Sequence, residues 1–245
     1  MKTNKYQRRF YRDWVKVDGL ISMYVAVKET DLHIFIDKAV DAEFIKERVL
    51  HYRWQIENYI TRDNRFITSL KPVEVELNAP GIVKEMSIAS KKAGVGPMSA
   101  VAGAIAYFLG RDLLKKGCKN VIIENGGDIF LKVARTCKVG IYAGRAKTWN
   151  NLSLKIKPRR TSLGICTSSG KLGHSLSFGV ADAVIILAGN PCLADAVATA
   201  AANRVQSPRD LGKALDFARS IKGVSGVVAI LKDKMASWGD VQFTK

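Results

Sequence analysis

Asp195 and Thr199 are the residues whose types and spacing point most directly to chemistry in this chain. They lie in the segment 190–200, where Asn190 can cap a helix and Pro191 suits the first helical position. Residues four apart project from the same face of a helix, so this carboxylate and hydroxyl can share an oxygen-preferring cation such as Mg²⁺. The alternative is a closely packed alanine-rich helix, with Asp195 favouring the helix dipole and Thr199 bonding back along its own helix. The segment alone favours this alternative, so the case for a metal site depends on the rest of the chain.

A second candidate is the turn Gly126-Gly127-Asp128, which lies between two predicted strands. Paired glycines accept positive φ and leave bare backbone against which a planar ligand or a phosphate can lie. A Gly-Gly pair is equally typical of an ordinary hairpin turn, and these residues do not decide between the two. Gly96 comes just before Pro97, at the start of a predicted helix, where free N–H groups can hold an anion.

A third candidate is the end of the strand at Thr167 and Ser169, where hydroxyls, a glycine and a lysine can all donate to phosphate oxygens. His174 follows in a glycine-flanked loop, where an imidazole could act as a base or an acid near neutral pH. An ordinary surface histidine is the simpler interpretation of His174 taken alone. His33 falls in a predicted hairpin strand and His51 in a predicted helix, so both are expected to be structural.

The elements that must position these residues come in runs of strands and runs of helices. Hydrophobic periodicity and turn residues predict helices at 41–62, 80–94 and 98–116, a helix that starts at 190, and a helix at 207–220. They predict strands at 14–27, 32–36, 121–123, 128–133, 138–142, 152–156, 162–167, 183–187, 224–231 and 235–243. The second helix is expected to bury Ile82, Met86 and Ile88. This order predicts an α+β fold with a mixed, largely antiparallel sheet flanked by helices.

The charge of the chain is its compositional outlier. The formal net charge is +17, and no carboxylate occurs from residue 129 to 181, where ten lysines and arginines fall. A second basic cluster, interleaved with aromatic residues, occupies positions 2–14. Such a field favours an anionic partner, which could be a phosphorylated small molecule, a nucleic acid or an acidic protein.

The cysteines and the apolar segments indicate a compartment. The four cysteines are far apart and have no metal-ligand spacing, so they are expected to be buried thiols in a reducing environment. No apolar run is long enough to span a bilayer, and the N-terminal residues do not resemble a secretory signal. We therefore expect a cytoplasmic protein with no membrane segment.

The order of the motifs resembles the ApbE-type flavin transferases. The resemblance rests on a small-residue helix, the Gly126-Gly127-Asp128 turn, the Thr-Ser-Ser-Gly strand end, His174 and the Ala-Asp-Ala-x-Ala-Thr-Ala run at 194–200. It is strongest over 120–202 and extends loosely from about residue 16 to the C-terminus. The resemblance implies a single ApbE-like domain over 1–245, with a basic N-terminal segment at 1–13, in a cytoplasmic branch of that superfamily.

The resemblance also implies an activity and a set of site residues. In the family, FAD bound with Mg²⁺ is split at its pyrophosphate, FMN passes to a Thr or Ser of a target protein, and AMP leaves. Asp195 and Thr199 would be side-chain metal ligands, and a backbone carbonyl near 94–98 would complete the protein ligands of the metal. His174 would accept the proton of the target hydroxyl. The cofactor would be bound by Gly96, Gly126, Gly127 and Asp128, with Thr167 and Ser169 beside it. The chain departs from the family pattern at 96–103 and in the shortened loop after His174.

Three hypotheses from different classes follow. The first is a Mg²⁺-dependent enzyme acting on a flavin pyrophosphate, with an acceptor protein as its second substrate. The second is a non-catalytic protein that binds a flavin or another anionic cofactor, which the shortened loop motivates. The third is nucleic-acid binding through the basic surface, for which the chain has no recognised reading motif. A homodimer is compatible with all three.

Overall fold

The fold is built on one large antiparallel sheet. The computed structural model describes residues 19–143, 149, 152–170 and 178–244. The strands are β1 (Ile21–Val27), β2 (Thr30–Ile36), β3 (Val121–Asn125), β4 (Asp128–Lys132), β5 (Cys137–Gly140), β6 (Ser153–Ile156), β7 (Leu163–Ser168), β8 (Ala183–Ala188), β9 (Val224–Leu231), β10 (Lys234–Gly239) and β11 (Phe243–Thr244). Eight of them form a sheet in the order β1-β2-β3-β4-β7-β8-β9-β10, and β11-β6-β5 form a second, three-stranded sheet. All neighbouring strands are antiparallel.

The helices lie on one face of the large sheet and the small sheet lies on the other. The helices are α1 (Ala42–Arg62), α2 (Arg65–Thr68), α3 (Gly81–Ala93), α4 (Val101–Lys115), α5 (Pro191–Ala202) and α6 (Leu211–Ser220). Alternate residues of a strand point to opposite faces. In β8, Val184 and Ile186 therefore pack under the helices, while Ile185 and Leu187 pack against the small sheet. The predicted α+β class with helices flanking a largely antiparallel sheet is confirmed.

Most predicted helices are present, with two local differences. Met98 was expected to open a helix, but Pro97–Ala100 is a 3₁₀ turn and α4 starts at Val101. The prediction that Ile88 is buried in α3 is wrong. Ile82 and Met86 are buried, whereas Ile88 is 50% exposed, because two residues beyond Met86 a helix has turned by about 200°.

Two glycines allow α5 to lie unusually close to its neighbours. A Cβ on Gly103 of α4 would lie 2.4 Å from the carbonyl oxygen of Pro191, and one on Gly164 of β7 would lie 2.5 Å from the Pro191 Cα. The start of α5 is therefore in contact with both the helix layer and the sheet. Asn190 caps this helix by accepting from the Cys192 amide at 2.8 Å.

The helices were also compared with the length and hydropathy that a membrane span needs. No single helix in the described part of the chain is long and apolar enough to cross a bilayer. One bent pair, Gly81–Ala93 with Pro97–Lys115 at an angle of 105°, reaches the threshold by length and composition when the two are taken together.

Candidate functional site

Asp195 lies at the N-terminus of a neighbouring helix. Its carboxylate projects from the buried face of α5, and Oδ2 accepts from the backbone amide of Gly103 in the first turn of α4 at 2.9 Å. The Ala102 amide is also near this carboxylate and favours its charged form. Ala100, the residue that precedes α4, provides no side-chain cap. Asp195 thus satisfies amides that the helix itself leaves unpaired, at the end where the dipole favours negative charge.

Asp128 brings a second buried carboxylate to the same place. It starts β4 directly after the glycine turn, and its Oδ1 accepts from the Thr167 amide at 3.2 Å. The Cys166 thiol is also near this carboxylate, and it donates to the Pro191 carbonyl at 3.4 Å. Asp128 and Asp195 keep only 7% and 9% of their surface exposed. Two largely buried carboxylates from different elements are therefore near enough for the charge of Asp195 to act on Asp128.

The pKa values of both carboxyl groups are raised by burial. Burial, and then the charge of Asp195, raise the pKa of Asp128 well above its usual range. Burial raises the pKa of Asp195 to about 7, although the amides of Gly103 and Ala102 oppose that rise. Two buried carboxylates whose charges interact favour protonation or a bound cation.

The oxygen donors around the pair are those that Mg²⁺ prefers. Thr199 lies one turn after Asp195 on α5 and is 8% exposed. Asn125, opposite Asp128 across the hairpin, donates from Nδ2 to the Ala102 carbonyl at 3.1 Å and so ties the turn to α4. Throughout residues 19–143, 149, 152–170 and 178–244, no three acidic, histidine or cysteine side chains form a metal-binding group. A cation here would therefore need hydroxyl, carbonyl or water oxygens beside the two carboxylates.

The glycines predicted to bind a cofactor have different surroundings. Gly126 and Gly127 form the β3–β4 hairpin turn with φ of 68° and 102°, and the Gly127 amide donates to Glu124 Oε1 at 2.7 Å. A Cβ on Gly127 would meet no atom within 4 Å, so this side of the turn is open. At Gly96 a Cβ would lie 1.8 Å from the Ser69 carbonyl oxygen, and close packing already requires a glycine there.

The strand end at Thr167 and Ser169 lies beside the carboxylate pair. Thr167 is half-buried and holds Asp128 through its amide, and the Ser169 hydroxyl donates to the Ala181 carbonyl at 3.5 Å. His174 lies outside the described residues, so its predicted role as proton acceptor stays a prediction. The structure brings together Asp195, Thr199, Asp128 and Thr167.

Some contributions to this site were not predicted from the sequence. The prediction that Asp128 binds the cofactor stays a prediction, and in the structure the charge of Asp195 raises the pKa of Asp128. The contributions of Asn125, Cys166 and the first turn of α4 were not predicted. Only the hairpin register, which pairs Asn125 with Asp128, could have indicated the first of them.

Comparison with known proteins identifies the family. The family model described as AbpE bacteria matches residues 12–237. The chain belongs to this family. Its sequence relatives include a UPF0280 protein of Methanococcus aeolicus, 38% identical over 226 residues that cover 91% of each chain. A second, from Methanocaldococcus jannaschii, is 39% identical over 222 residues, covering 89% of this chain and 90% of the relative.

Solved structures share the fold of this AbpE family member. The ApbE protein from Thermotoga maritima superposes with a TM-score of 0.61 at 12% identity, covering 90% of this chain and 96% of that one. The flavin transferase ApbE from Vibrio cholerae gives a TM-score of 0.58 at 12% identity with the same coverage. At this identity the likeness is one of fold, and the resemblance read from the motifs is confirmed at that level.

Proposed function

We propose that this protein is a Mg²⁺-dependent enzyme that cleaves the pyrophosphate of FAD and transfers FMN to a Ser or Thr hydroxyl of an acceptor protein. The observation that carries the proposal is the buried pair of Asp128 and Asp195 at the N-terminus of α4. The fold supports it, because a structure with this fold is named a flavin transferase. We also propose a cytoplasmic location, which the four free thiols support.

The residues of the pair and its surroundings have separable tasks in this proposal. Asp195 and Thr199 hold the cation, together with a backbone carbonyl near 94–98, and Asp128 supplies a second negative charge. When bound, the cation neutralises the pyrophosphate and stabilises the departing AMP. The amides of α4 and β7 fix both carboxylates, so their charges do not need to reorganise when substrate binds.

The remaining site residues bind and orient the flavin nucleotide. Gly126 and Gly127 form a backbone turn next to Asp128, and the turn is open at Gly127. Thr167 and Ser169 place hydroxyls at the end of β7, which is the end of the sheet where Asp128 and Asp195 lie. We retain His174 as the proton acceptor from the target hydroxyl and Gly96 as a contact of the cofactor.

The direct test is product analysis with FAD. The purified chain is incubated with FAD and Mg²⁺, with and without a Ser- or Thr-containing acceptor, and AMP and flavinylated protein are quantified. We expect AMP in amounts equal to the flavin transferred, and loss of both in Asp195→Asn. Asp216→Asn removes an exposed carboxylate of α6 and serves as the control with unchanged turnover. Absence of AMP under all these conditions contradicts the proposed reaction.

A second candidate is a flavin-binding protein without turnover. The bonds from the α4 amides to Asp195 favour it, because they give that carboxylate a structural task that needs no metal. Calorimetry separates the two. FAD affinity that is unchanged by Asp195→Asn and by removal of Mg²⁺, with no AMP formed, supports the binder and contradicts the enzyme.

A further inference from the structure

The outer side of the small sheet carries a pocket that the proposed reaction does not use. It is a cavity of about 230 Å³ between β6 and the segment leading into β11. Its polar lining consists of Lys155, Lys157, Arg159, Asp240 and Gln242. We propose that this β6 pocket is a binding site for a phosphate group, separate from the carboxylate pair.

Basic side chains outnumber acidic ones among the described residues that line the β6 pocket. Asp240 is the single carboxylate among these residues, and it is paired with Arg159. Lys155 and Lys157 add two exposed ammonium groups to the pocket lining. A multiply charged anion would interact favourably with both.

The backbone around the β6 pocket is held in place before any ligand binds. The Lys155 amide donates to the Gln242 carbonyl at 2.7 Å, which fixes β6 to the segment before β11. Lys132 Nζ donates to the carbonyls of Arg159 and Arg160 at 2.5 and 2.7 Å. An anion would thus meet donors on an ordered loop, which lowers the entropic cost of binding.

The β6 pocket lies at the opposite end of the large sheet from the carboxylate pair. Asp128 begins β4, whereas Lys132, which holds the pocket loop, ends it about 14 Å further along the strand. β7 runs in the opposite direction, so Leu163 lies near the pocket end and Thr167 near the carboxylate pair. One nucleotide pyrophosphate bound at Asp195 is therefore not the ligand of the β6 pocket.

Size and donor chemistry define the ligand. The cavity is smaller than the several hundred Å³ of typical organic-ligand pockets, and it offers ammonium, guanidinium and amide donors. It suits a phosphate or pyrophosphate group, carried either by a small phosphorylated molecule or by a nucleic-acid strand.

The test uses inorganic pyrophosphate as the probe and isothermal titration of the full chain without Mg²⁺. We expect saturable binding that weakens by at least about tenfold in the Lys155→Ala/Lys157→Ala double variant, since each charge-assisted bond contributes roughly a factor of ten or more. Lys213→Ala/Lys222→Ala removes the same charge from exposed positions at and after α6 and is the matched control. Urea unfolding of both double variants checks that they are folded.

Four results would overturn the proposal: no binding by the wild-type chain, an equal loss in both double variants, no loss in the Lys155→Ala/Lys157→Ala variant, or a loss in Asp195→Asn. The last would place the anion at the carboxylate pair. Competition then identifies the source of the phosphate. Displacement by a single-stranded oligonucleotide at physiological salt indicates a nucleic-acid strand, and displacement by small phosphate monoesters alone indicates a free metabolite.

Discussion

Replacing Gly103 by alanine perturbs the contact that positions Asp195. The new Cβ would lie 2.4 Å from the Pro191 carbonyl oxygen and 2.9 Å from the Asp195 Cβ. Neither atom is the end of a flexible side chain, so α4 and α5 must separate. Forced separation of packed elements costs about 1–3 kcal/mol, and a weakened amide bond to a carboxylate costs about 1.5–3 kcal/mol. The higher helix propensity of alanine returns about 1 kcal/mol. We expect the free energy of unfolding to fall by about 2–5 kcal/mol.

The measurement is urea unfolding followed by circular dichroism, with the midpoint compared at constant slope. Gly212→Ala is the matched control, because Gly212 is exposed in the first turn of α6 and a Cβ there meets no atom within 4 Å. The control should leave stability unchanged or raise it by up to about 1 kcal/mol. If Gly103→Ala shifts the midpoint no more than Gly212→Ala does, the close approach of α4 and α5 is not what fixes Asp195.

Three further predictions concern the same region. Because burial raises the pKa of Asp195 to about 7 in the folded chain, above its ordinary value of 3.8, the folded state binds more protons between those values. The stability that Asp195 contributes is therefore present at low pH and is lost as pH rises to about 7. Asp195→Asn should make the urea midpoint less dependent on pH. If the midpoint of this variant changes with pH as much as that of the wild-type chain, the raised pKa of Asp195 is contradicted. Asn190→Ala removes the cap of α5 and the bond to Glu85, and should lower the free energy of unfolding by about 1–2 kcal/mol in the same assay, whereas no loss would show that the cap is dispensable. Thr199→Val should keep the fold but weaken Mg²⁺ binding, and Thr199→Ser should retain it; equal affinities of the two variants would remove Thr199 from the site.

The helices and strands could be predicted because local rules and burial agree. The stripe from Ile45 to Tyr59 in α1 is buried as its spacing requires, and Asn190 and Pro191 start α5 where the capping rule places them. The apolar run at 183–187 is the buried strand β8. In each case the residues that determine the element are neighbours in sequence.

The candidate site could be predicted only in part, because its partners come from distant elements. The spacing of Asp195 and Thr199 on one helix is a local property, and it was read from the sequence. The bond from Gly103 to Asp195 joins residues 92 positions apart, and the packing that requires Gly103 depends on where α5 crosses α4. For the same reason the proximity of Asp128 to Asp195 was not predicted from the sequence.

We propose that Asp128 and Asp195 contribute to one divalent-cation site. Calorimetric titration of Mg²⁺ into the wild-type chain, Asp128→Asn and Asp195→Asn tests this proposal. We expect one site in the wild-type chain, tighter binding as pH rises and the two carboxyl groups lose their protons, and affinity lowered by about tenfold or more in each variant. Equal Mg²⁺ affinity in all three proteins would contradict it and leave Asp195 as the cap of α4 alone.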